Sequence, residues 1–592
     1  MNDAGKMNIE FVRAGAGSGK TYYLTHLLAS RLEDKTARAS AVLATTFTVK
    51  AATELRERAR ATLLKKGNLD LAAAIGQARI GTINSVCGQL IQRFCFELGV
   101  SPDQQILDEQ QTSRVAGIAL ESAQTPDEIR SLIEVARRLD IGQGDFSSKG
   151  GREQKLEKAI AKTLRELMAA ARENNLSPEQ LAAMGARNAD AMLSCWPATV
   201  DGLSESLDAE LEKLIPQLEA AVNKGKPTDV LRKAFNRCRD SQQQLREGRL
   251  PWSSWAALAK LNAGAPQRPV VEALQNTAKR HGSHPQFHAD VRLYLDLMFG
   301  IASRGLAAFE QAKREMGVVD FTDQEVLLLR GLEHSEVMQQ ALREELDLVL
   351  VDEFQDTNPL QLAIFIELAK LAKSSVWVGD RKQAIYGFRG TDSTLIQQVL
   401  DSVEGWGGKV GAALADSWRS TPALVKLCNE AFVAAFDSTP AADVALTPVR
   451  DAIAGSTDLQ TWTFETPPGK RVLDVTGLGP ALTQLLQSET QVFDKETKSL
   501  RRIQAGDVAV LCRTNPTIKS VVGALGRWGI PVAAERPGLL ATPEAQLVVA
   551  CLRRLHDPGD TVASAVITGL TQSLAPEKWL HDRLTLDRKS VV

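Results

Sequence analysis

The chain has 592 residues, of which 44% are hydrophobic and 24% are charged, and its formal net charge is −2 at pH 7. This composition is that of an ordinary soluble globular protein, and the balanced charge gives no sign of a polyanion partner over the whole surface. No apolar run approaches the ~18 residues that a membrane span needs. The first residues, MNDAGKMNIEF, lack the apolar core of a signal peptide. We therefore expect a cytoplasmic protein that does not contact a membrane.

The length predicts several domains, since domains commonly have ~100–200 residues. The seven cysteines are an odd number and include no CxxC pair. Reduced, buried thiols are therefore expected, rather than a disulfide framework or a metal site.

The first hundred residues predict alternating strands and helices. A strand at 7–12 leads into a glycine-rich loop, which a helix at 21–32 follows. Further strands at 40–47 and 79–82 each precede a helix, the first of which begins near Lys50. This alternation predicts a parallel sheet covered by helices on both faces.

From about 110 to 300 the strand signals disappear, and apolar residues recur at helical spacing, as at Leu156, Ile160 and Leu164. In LSPEQL, Ser177 can cap a helix and Gln180 can complete a capping box. This stretch predicts a helical insertion into the α/β domain. The strand pattern resumes at 347–353, 375–380, 409–414 and 507–514.

The segment AGAGSGKT lies between the first strand and the first helix, where a phosphate-binding loop is expected. Its glycines let backbone N–H groups converge on phosphate oxygens. Lys20 would reach the β- and γ-phosphates, and the Thr21 hydroxyl would hold Mg²⁺ carried by the nucleotide. The expected phosphate-binding residues are Ala14, Gly15, Ala16, Gly17, Ser18, Gly19, Lys20 and Thr21.

The segment VLVDEFQDTNPLQ at 349–361 carries an apolar strand into adjacent carboxylates. Burying such a strand is unfavourable unless a cation lies at its end. Asp352 would hold the Mg²⁺ of a nucleoside triphosphate, and Glu353 would orient or deprotonate an attacking water. The alternative is that both are solvated acids.

Five strings occur in the order of the superfamily 1 helicases and resemble the UvrD/Rep group, with the RecB/AddA helicase–nuclease proteins as close relatives in character. They are TFTVKAATELRERA (46–59), IGTINSVC (80–87), VLVDEFQDTNPLQ, VGDRKQAIYGFRGTD (378–392) and LADSWRS (414–420). The resemblance covers about 1–110 and 320–560. It implies an α/β fold of RecA-like P-loop NTPase domains, parallel sheets flanked by helices, with a large all-helical insertion.

The resemblance also implies domain boundaries. The first RecA-like core domain would comprise 1–110 and 301–400, with the helical insertion at 111–300 between its parts. A partial second RecA-like domain would occupy 401–570, and 571–592 would begin a further helical insertion or a tail.

Residue roles follow from the same resemblance, with ATP and Mg²⁺ as cofactors. The catalytic residues would be Lys20, Asp352, Glu353, Gln383, which senses the γ-phosphate, and Arg419, an arginine finger. Trp418 would stack on the base, and Arg389 would connect the nucleotide and DNA sites. Single-stranded DNA would run over Phe47, Lys50, Thr82, Tyr386 and Phe388.

The family's last two motifs, one with an SKGLE core and one ending in TRA, have no counterpart between 515 and 592. We therefore expect the chain to hold the front part of a motor, without the nuclease of the RecB-like proteins. No glutamine precedes the phosphate loop, so selectivity for adenine stays open.

The resemblance implies ATP-driven translocation on single-stranded DNA, in the 3′-to-5′ direction, with duplex–single-strand junctions as substrates and a nuclease as a candidate partner. The rival hypothesis is a non-motor ATP- and DNA-binding component of a helicase–nuclease complex. A P-loop kinase or GTPase is disfavoured, because neither needs Phe47 or the string from Gln383 to Arg389. Repair, recombination and defence against foreign DNA all remain open as the pathway.

Within the insertion, LRKAFNRCR at 231–239 predicts a contact with duplex DNA, and Trp252 and Trp255 follow it. The alternative is a solvated helix face followed by two core tryptophans. The four basic residues of this segment are Arg232, Lys233, Arg237 and Arg239.

Overall fold

The computed structural model describes residues 7–141, 152–224, 227–385, 393–437, 439–452, 459–463, 475–494, 497–534, 540 and 542–572. They belong to two compact units, one within residues 1–451 and the other within 452–592. The candidate site lies in the first unit.

The first unit is built on a parallel sheet. Its strands, in chain order, are β1 (Ile9–Arg13), β2 (Val42–Thr46), β3 (Arg79–Thr82), β4 (Gln105–Ile106), β5 (Val318–Val319), β6 (Leu348–Val351), β7 (Ser374–Gly379), β8 (Lys409–Val410), β9 (Asp416–Ser417) and β10 (Thr447–Pro448). Six of them form one sheet in the order β3-β2-β6-β7-β1-β8, and every neighbouring pair is parallel. The expected parallel sheet is thus confirmed. The strand expected at 409–414 is shorter, because only β8 pairs with β1 as a strand.

Helices cover the sheet. Those before the insertion are α1 (Lys20–Glu33), α2 (Val49–Lys65), α3 (Leu69–Ala74) and α4 (Ile83–Arg93). Those of the insertion are α5 (Glu109–Ser122), α6 (Pro126–Arg138), α7 (Arg152–Glu173), α8 (Pro178–Leu193), α9 (Leu203–Asn223), α10 (Asp229–Arg246), α11 (Trp252–Leu258), α12 (Arg268–Lys279) and α13 (Pro285–Met316). Those that follow are α14 (Phe321–His334), α15 (Glu336–Glu345), α16 (Pro359–Leu371), α17 (Ser393–Ser402), α18 (Pro422–Ala435) and α19 (Ala441–Val444).

The central strands β2 and β6 are buried along their whole length. In β6, Leu348 and Leu350 pack into the core that contains residues of α1 to α3. Val349 and Val351 point the other way, into the core that contains residues of α4 and α14 to α17. Because both faces are covered, the strand is apolar throughout, and polar side chains appear only beyond its ends, with Asp352 and Glu353 at the carboxyl end.

The insertion is entirely helical between Glu109 and Met316 in the part of it that the structure describes. Its two connections to the core run side by side, since β4 pairs with β5 in parallel. The last helix, α13, continues to Met316, beyond the residue 300 at which we placed the insertion's end. The expected capping box is present, with Ser177 and Gln180 exchanging hydrogen bonds at the start of α8.

The second unit contains α20 (Leu478–Gln487), β11 (Gln491–Asp494), β12 (Ser499–Arg502), α21 (Asn515–Arg527), α22 (Pro543–His556) and α23 (Thr561–Gln572). The two strands pair antiparallel with each other, and they are the only strands in the described residues of this unit. The strand expected at 507–514 is absent: residues 508–514 are not strand, and Leu511 is 95% exposed. The prediction was wrong because no strand among the described residues pairs with this apolar segment. The second RecA-like domain therefore stays a prediction.

All seven cysteines are free, as expected. Their expected burial was wrong for three of them, because Cys195, Cys428 and Cys551 lie on exposed surfaces. No helix in the described ranges has both the length and the apolar character that crossing a bilayer requires.

Candidate active site

The phosphate loop connects β1 to α1 at the carboxyl edge of the sheet. Gly17 and Gly19 adopt φ angles of 75° and 89°, in the left-handed region that favours glycine. Gly19 directly precedes Lys20, the first residue of α1, so the loop ends at a helix N-terminus. The buried Ser18 hydroxyl has no hydrogen-bond partner among the described residues. This loop therefore presents polar groups in the way that a phosphate requires.

The two carboxylates follow β6, at the same edge. The backbone N–H of Asp352 donates to the Thr45 carbonyl at 3.0 Å, which extends the pairing of β6 with β2 by one residue. Asp352 Oδ1 accepts the Glu353 backbone N–H at 2.9 Å. Burial, together with the charge of Glu353, raises the pKa of Asp352 to about 6, and Lys20 opposes the rise. A cation at Asp352 would restore the charged form.

Glu353 is ion-paired across the site: its Oε2 accepts a hydrogen bond from Lys20 Nζ. Its φ of 52° is in the left-handed region, which is unusual for a residue with a Cβ. Such backbone strain concentrates at functional sites, where surrounding contacts hold it. The structure therefore brings the two expected catalytic residues together, while their catalytic roles stay predictions.

A second set of contacts joins Glu353 to the end of β7. Gln355 Nε2 donates to Glu353 Oε2 at 2.6 Å, and Gln355 Oε1 accepts the Asp380 backbone N–H at 2.9 Å. Asp380 Oδ2 in turn accepts Gln383 Nε2 at 2.7 Å. Sequence reasoning singled out Gln383 but missed Gln355 and Asp380. Their only signal was membership of the motif strings, which gives no role to either side chain.

The segment at β9 closes the other side of the loop. The Trp418 backbone N–H donates to the Gly17 carbonyl at 2.9 Å. A Cβ at Gly17 would lie 2.7 Å from Arg419 Cβ, and one at Gly19 would lie 3.7 Å from Trp418 Cδ1. The Trp418 side chain is 58% exposed. The structure thus places the expected base-stacking and finger residues against the phosphate loop.

The structure describes three of the five residues expected to contact DNA. Phe47 follows β2 and Thr82 ends β3, and both line a cleft of about 610 Å³, which Asp352 and Glu353 also line. Lys50 is exposed in the first turn of α2. Tyr386, Phe388 and Arg389 lie outside the described residues.

Arg172 and Asp320, which also line this cleft, belong to a buried ionic cluster that the sequence did not predict. Lys313 Nζ lies 2.5 Å from Asp323 Oδ2 and 3.2 Å from Asp320 Oδ2, and Arg172 also pairs with both carboxylates. Burial alone would raise the pKa of Asp320, but the two cations hold it below its ordinary value. This cluster joins α7 and α13 of the insertion to the start of α14. Arg172 lies 148 residues from Asp320 in sequence, so no motif spacing could have revealed the whole cluster.

The exposure of each side chain tests the two interpretations of α10 and of the two tryptophans that follow it. Trp252 and Trp255 are 7% and 1% exposed, and they pack in the core of the insertion. The alternative that they are core residues is therefore correct. The basic residues of α10, by contrast, are all exposed: Arg232, Lys233, Arg237 and Arg239.

A parallel sheet whose first strand enters a glycine loop, and whose neighbouring strands end in carboxylates, defines a P-loop nucleotide-binding α/β protein. The chain belongs to the family described as the UvrD/REP helicase N-terminal domain, whose model matches residues 6–245 and 276–404. The expected family is thus confirmed.

Curated relatives include proteins named as subunits of an ATP-dependent helicase/nuclease. One from Levilactobacillus brevis is 25% identical over 94% of this chain and 50% of its own length. One from Limosilactobacillus fermentum is 25% identical over 96% of this chain and 48% of its own length. One from Bacillus thuringiensis is 24% identical over 94% of this chain and 50% of its own length. The chain thus spans about half the length of the curated relatives it matches.

Proposed function

We propose that this chain is an ATP-driven motor that moves along single-stranded DNA in the 3′-to-5′ direction and separates the duplex ahead of it. The observation that carries the proposal is the single cleft lined by Asp352, Glu353, Phe47 and Thr82. A cleft that joins the hydrolytic carboxylates to an aromatic side chain suits a protein whose turnover responds to a bound strand. Aromatic side chains grip unstacked bases without sequence preference.

In this proposal each residue of the site has a chemical task. Lys20 binds the β- and γ-phosphates, and Glu353 takes the proton of the attacking water as the terminal phosphate leaves. Gln383 contacts the γ-phosphate, and Arg419 neutralises charge that develops during transfer.

The chemistry of the buried Asp352 carboxylate and of the Thr21 hydroxyl fits a nucleotide-bound Mg²⁺. Both Asp352 and Thr21 supply oxygen ligands, which Mg²⁺ prefers. Burial disfavours the charged form of Asp352, as its raised pKa shows. A cation beside the carboxylate would offset this cost. When bound, the ion would neutralise charge on the phosphates.

The proposal extends to a partner. The names of the relatives describe them as subunits, and they carry the words "helicase/nuclease". We infer that this chain works beside a second protein and near a nuclease activity, on duplex–single-strand junctions.

The test is ATP turnover with and without single-stranded DNA, followed by strand separation of duplexes with a 3′ or a 5′ single-stranded tail. We expect stimulation by the strand and separation of the 3′-tailed duplex, with both lost in Lys20→Ala. Binding of ATP and DNA without turnover would instead support a non-motor component. Separation from the 5′ tail would contradict the proposed direction.

A further inference from the structure

The Gln355 side chain occupies a fixed position beside the hydrolytic carboxylate. It is 3% exposed and lies in the single turn that follows β6. Its Oε1 accepts the backbone N–H of Asp380, which can only donate, so the amide orientation is set by that contact. The Nε2 group therefore faces the carboxylates: it donates to Glu353 Oε2 at 2.6 Å and makes a longer contact of 3.4 Å with Asp356 Oδ2.

A glycine permits this arrangement. A Cβ on Gly379, the last residue of β7, would lie 3.2 Å from Gln355 Oε1 and 3.3 Å from Gln355 N. The end of β7 and the turn after β6 thus approach so closely that a larger residue would crowd Phe354 and Gln355, which would have to shift by a few tenths of an ångström. The hydrogen bond of the Gln355 amide to Asp380 and the small residue Gly379 thus both favour the close contact between this turn and the end of β7.

The carboxylate that Gln355 holds has a competing partner. Glu353 Oε2 also accepts a hydrogen bond from Lys20, the cation that a nucleotide phosphate needs. A phosphate at Lys20 competes with Glu353 for that charge. Gln355 is neutral and has no such competitor, so it can keep the carboxylate oriented when Lys20 turns to phosphate.

The bridge also reaches the segment after β7. Asp380 Oδ1 accepts the Lys382 backbone N–H at 3.1 Å, and its Oδ2 accepts the Gln383 amide. Gln355 therefore ties the orientation of Glu353 to the turn that carries Gln383.

We propose that Gln355 is a positioning residue that orients Glu353 toward the attacking water and lowers the cost of releasing Glu353 from Lys20. The inference rests on the proposed ATP hydrolysis. It makes two separate claims, one on turnover and one on nucleotide binding, and the second needs no turnover.

The first experiment compares Gln355→Met, which keeps the shape but removes the hydrogen bonds of the side chain, with Gln324→Met. Gln324 is 4% exposed, and its Oε1 has no partner among the described residues, so it is a matched buried glutamine. We expect kcat to fall about 10- to 100-fold in Gln355→Met, as for a misplaced catalytic group. The Gln324→Met variant should keep the parent kcat and fold. Equal losses in both variants, or none in either, would overturn the claim on turnover.

A variant that keeps only one of the two bridging contacts adds a readout that a purely structural role would not move. Gln355→Glu keeps an acceptor for the Asp380 N–H but replaces the donor to Glu353 by a carboxylate. Its kcat should therefore fall at least as far as in Gln355→Met. A Gln355→Glu variant with the parent kcat would contradict the proposed donation to Glu353.

The second experiment measures equilibrium binding of a fluorescent ATP analogue to Gln355→Met, Glu353→Ala and the double variant. We expect Gln355→Met to weaken binding about threefold when Glu353 is present, and not at all in the Glu353→Ala background. Equal weakening in both backgrounds would overturn the binding claim. If the parent protein binds nucleotide without hydrolysing it, the proposed function fails, while this cycle still decides the role of Gln355.

Discussion

Gln361 Nε2 donates a hydrogen bond of 2.8 Å to Glu325 Oε1, and this contact joins α16, which follows Asp352 and Glu353, to α14, which follows the insertion. Glu325 is 4% exposed. Burial raises its pKa to about 7, and the negative charges of Glu173 and Asp320 add to the rise, while Gln361 and Arg172 oppose it. The junction between core and insertion thus contains a carboxyl group that titrates near neutral pH.

The first prediction is that Glu325 makes the protein less stable as the pH rises through neutrality. From about 4.5 to about 7, the folded state keeps the proton that the unfolded state has lost, so the free energy of unfolding falls as pH increases. The total decrease is about 3 kcal/mol, at ~1.4 kcal/mol per pH unit. Glu325→Gln keeps a neutral acceptor for Gln361. It should therefore raise the melting temperature at pH 8 and change it little at pH 5.

Melting curves at pH 5, 6, 7 and 8 check this prediction, with Glu333→Gln, an exposed glutamate of the same helix, as the control. A parent and a Glu325→Gln variant that lose stability in parallel between pH 5 and 8 would show that another group is responsible.

The second prediction concerns Glu353 as the base. Glu353→Gln keeps the shape of the side chain but cannot accept the proton, so turnover should fall ~10²-fold or more. Nucleotide binding should survive, and it should strengthen slightly, because the variant no longer pairs with Lys20. Steady-state turnover and equilibrium titration measure the two effects. A variant that hydrolyses ATP like the parent would remove Glu353 from the mechanism.

The sequence could predict a contact of this site only where local patterns along the chain place both partners. Lys20 and the two carboxylates follow from strand, loop and helix patterns, because parallel strands end at one edge of the sheet. The Gln355 to Asp380 contact requires β6 and β7 to be neighbours, and the strand order is not written in any local pattern. The Arg172 cluster joins a helix of the insertion to the core across 148 residues. No periodicity reports such a pairing.

The third prediction is that Phe47 contributes to the grip on single-stranded DNA. Phe47→Ala should weaken binding by ~1–3 kcal/mol, the usual value for one stacked base, to a similar extent for different base sequences. Phe96→Ala is the matched control, since Phe96 is 86% exposed and is not one of the residues that line the cleft. Fluorescence anisotropy with several oligonucleotides checks it. Weaker binding at only one base composition, or an equal effect in the control, would argue against stacking at Phe47.

The fourth prediction assigns duplex contact to α10. Four basic residues of this helix are exposed on the insertion: Arg232, Lys233, Arg237 and Arg239. Their reversal to Glu should weaken binding to a duplex–single-strand junction more than to a single strand. It should also reduce the slope of log affinity against log salt, by ~0.9 for each phosphate that the variant no longer neutralises.

The matched control for α10 reverses four exposed basic residues elsewhere in the insertion: Lys158, Arg187, Lys260 and Lys279. If this control weakens junction binding as much as the α10 variant does, the effect comes from overall charge. An unchanged junction affinity in the α10 variant would remove this helix from the DNA path.

The last prediction concerns Arg419, whose Cβ leaves no room for a Cβ on Gly17. An arginine that neutralises charge in the transition state is worth ~10³-fold or more in turnover, and it affects ground-state binding far less. Arg419→Ala should therefore lower kcat by about three orders of magnitude while nucleotide affinity changes little. Arg419→Lys keeps the charge without the planar fork and should recover only part of the activity.

Trp418→Ala, the variant of the neighbouring residue, should show the opposite result: weaker nucleotide binding, with kcat largely retained at saturating ATP. Turnover at saturating single-stranded DNA and equilibrium titration separate the two outcomes. Full turnover in Arg419→Ala would mean that another cation neutralises the transferring phosphate.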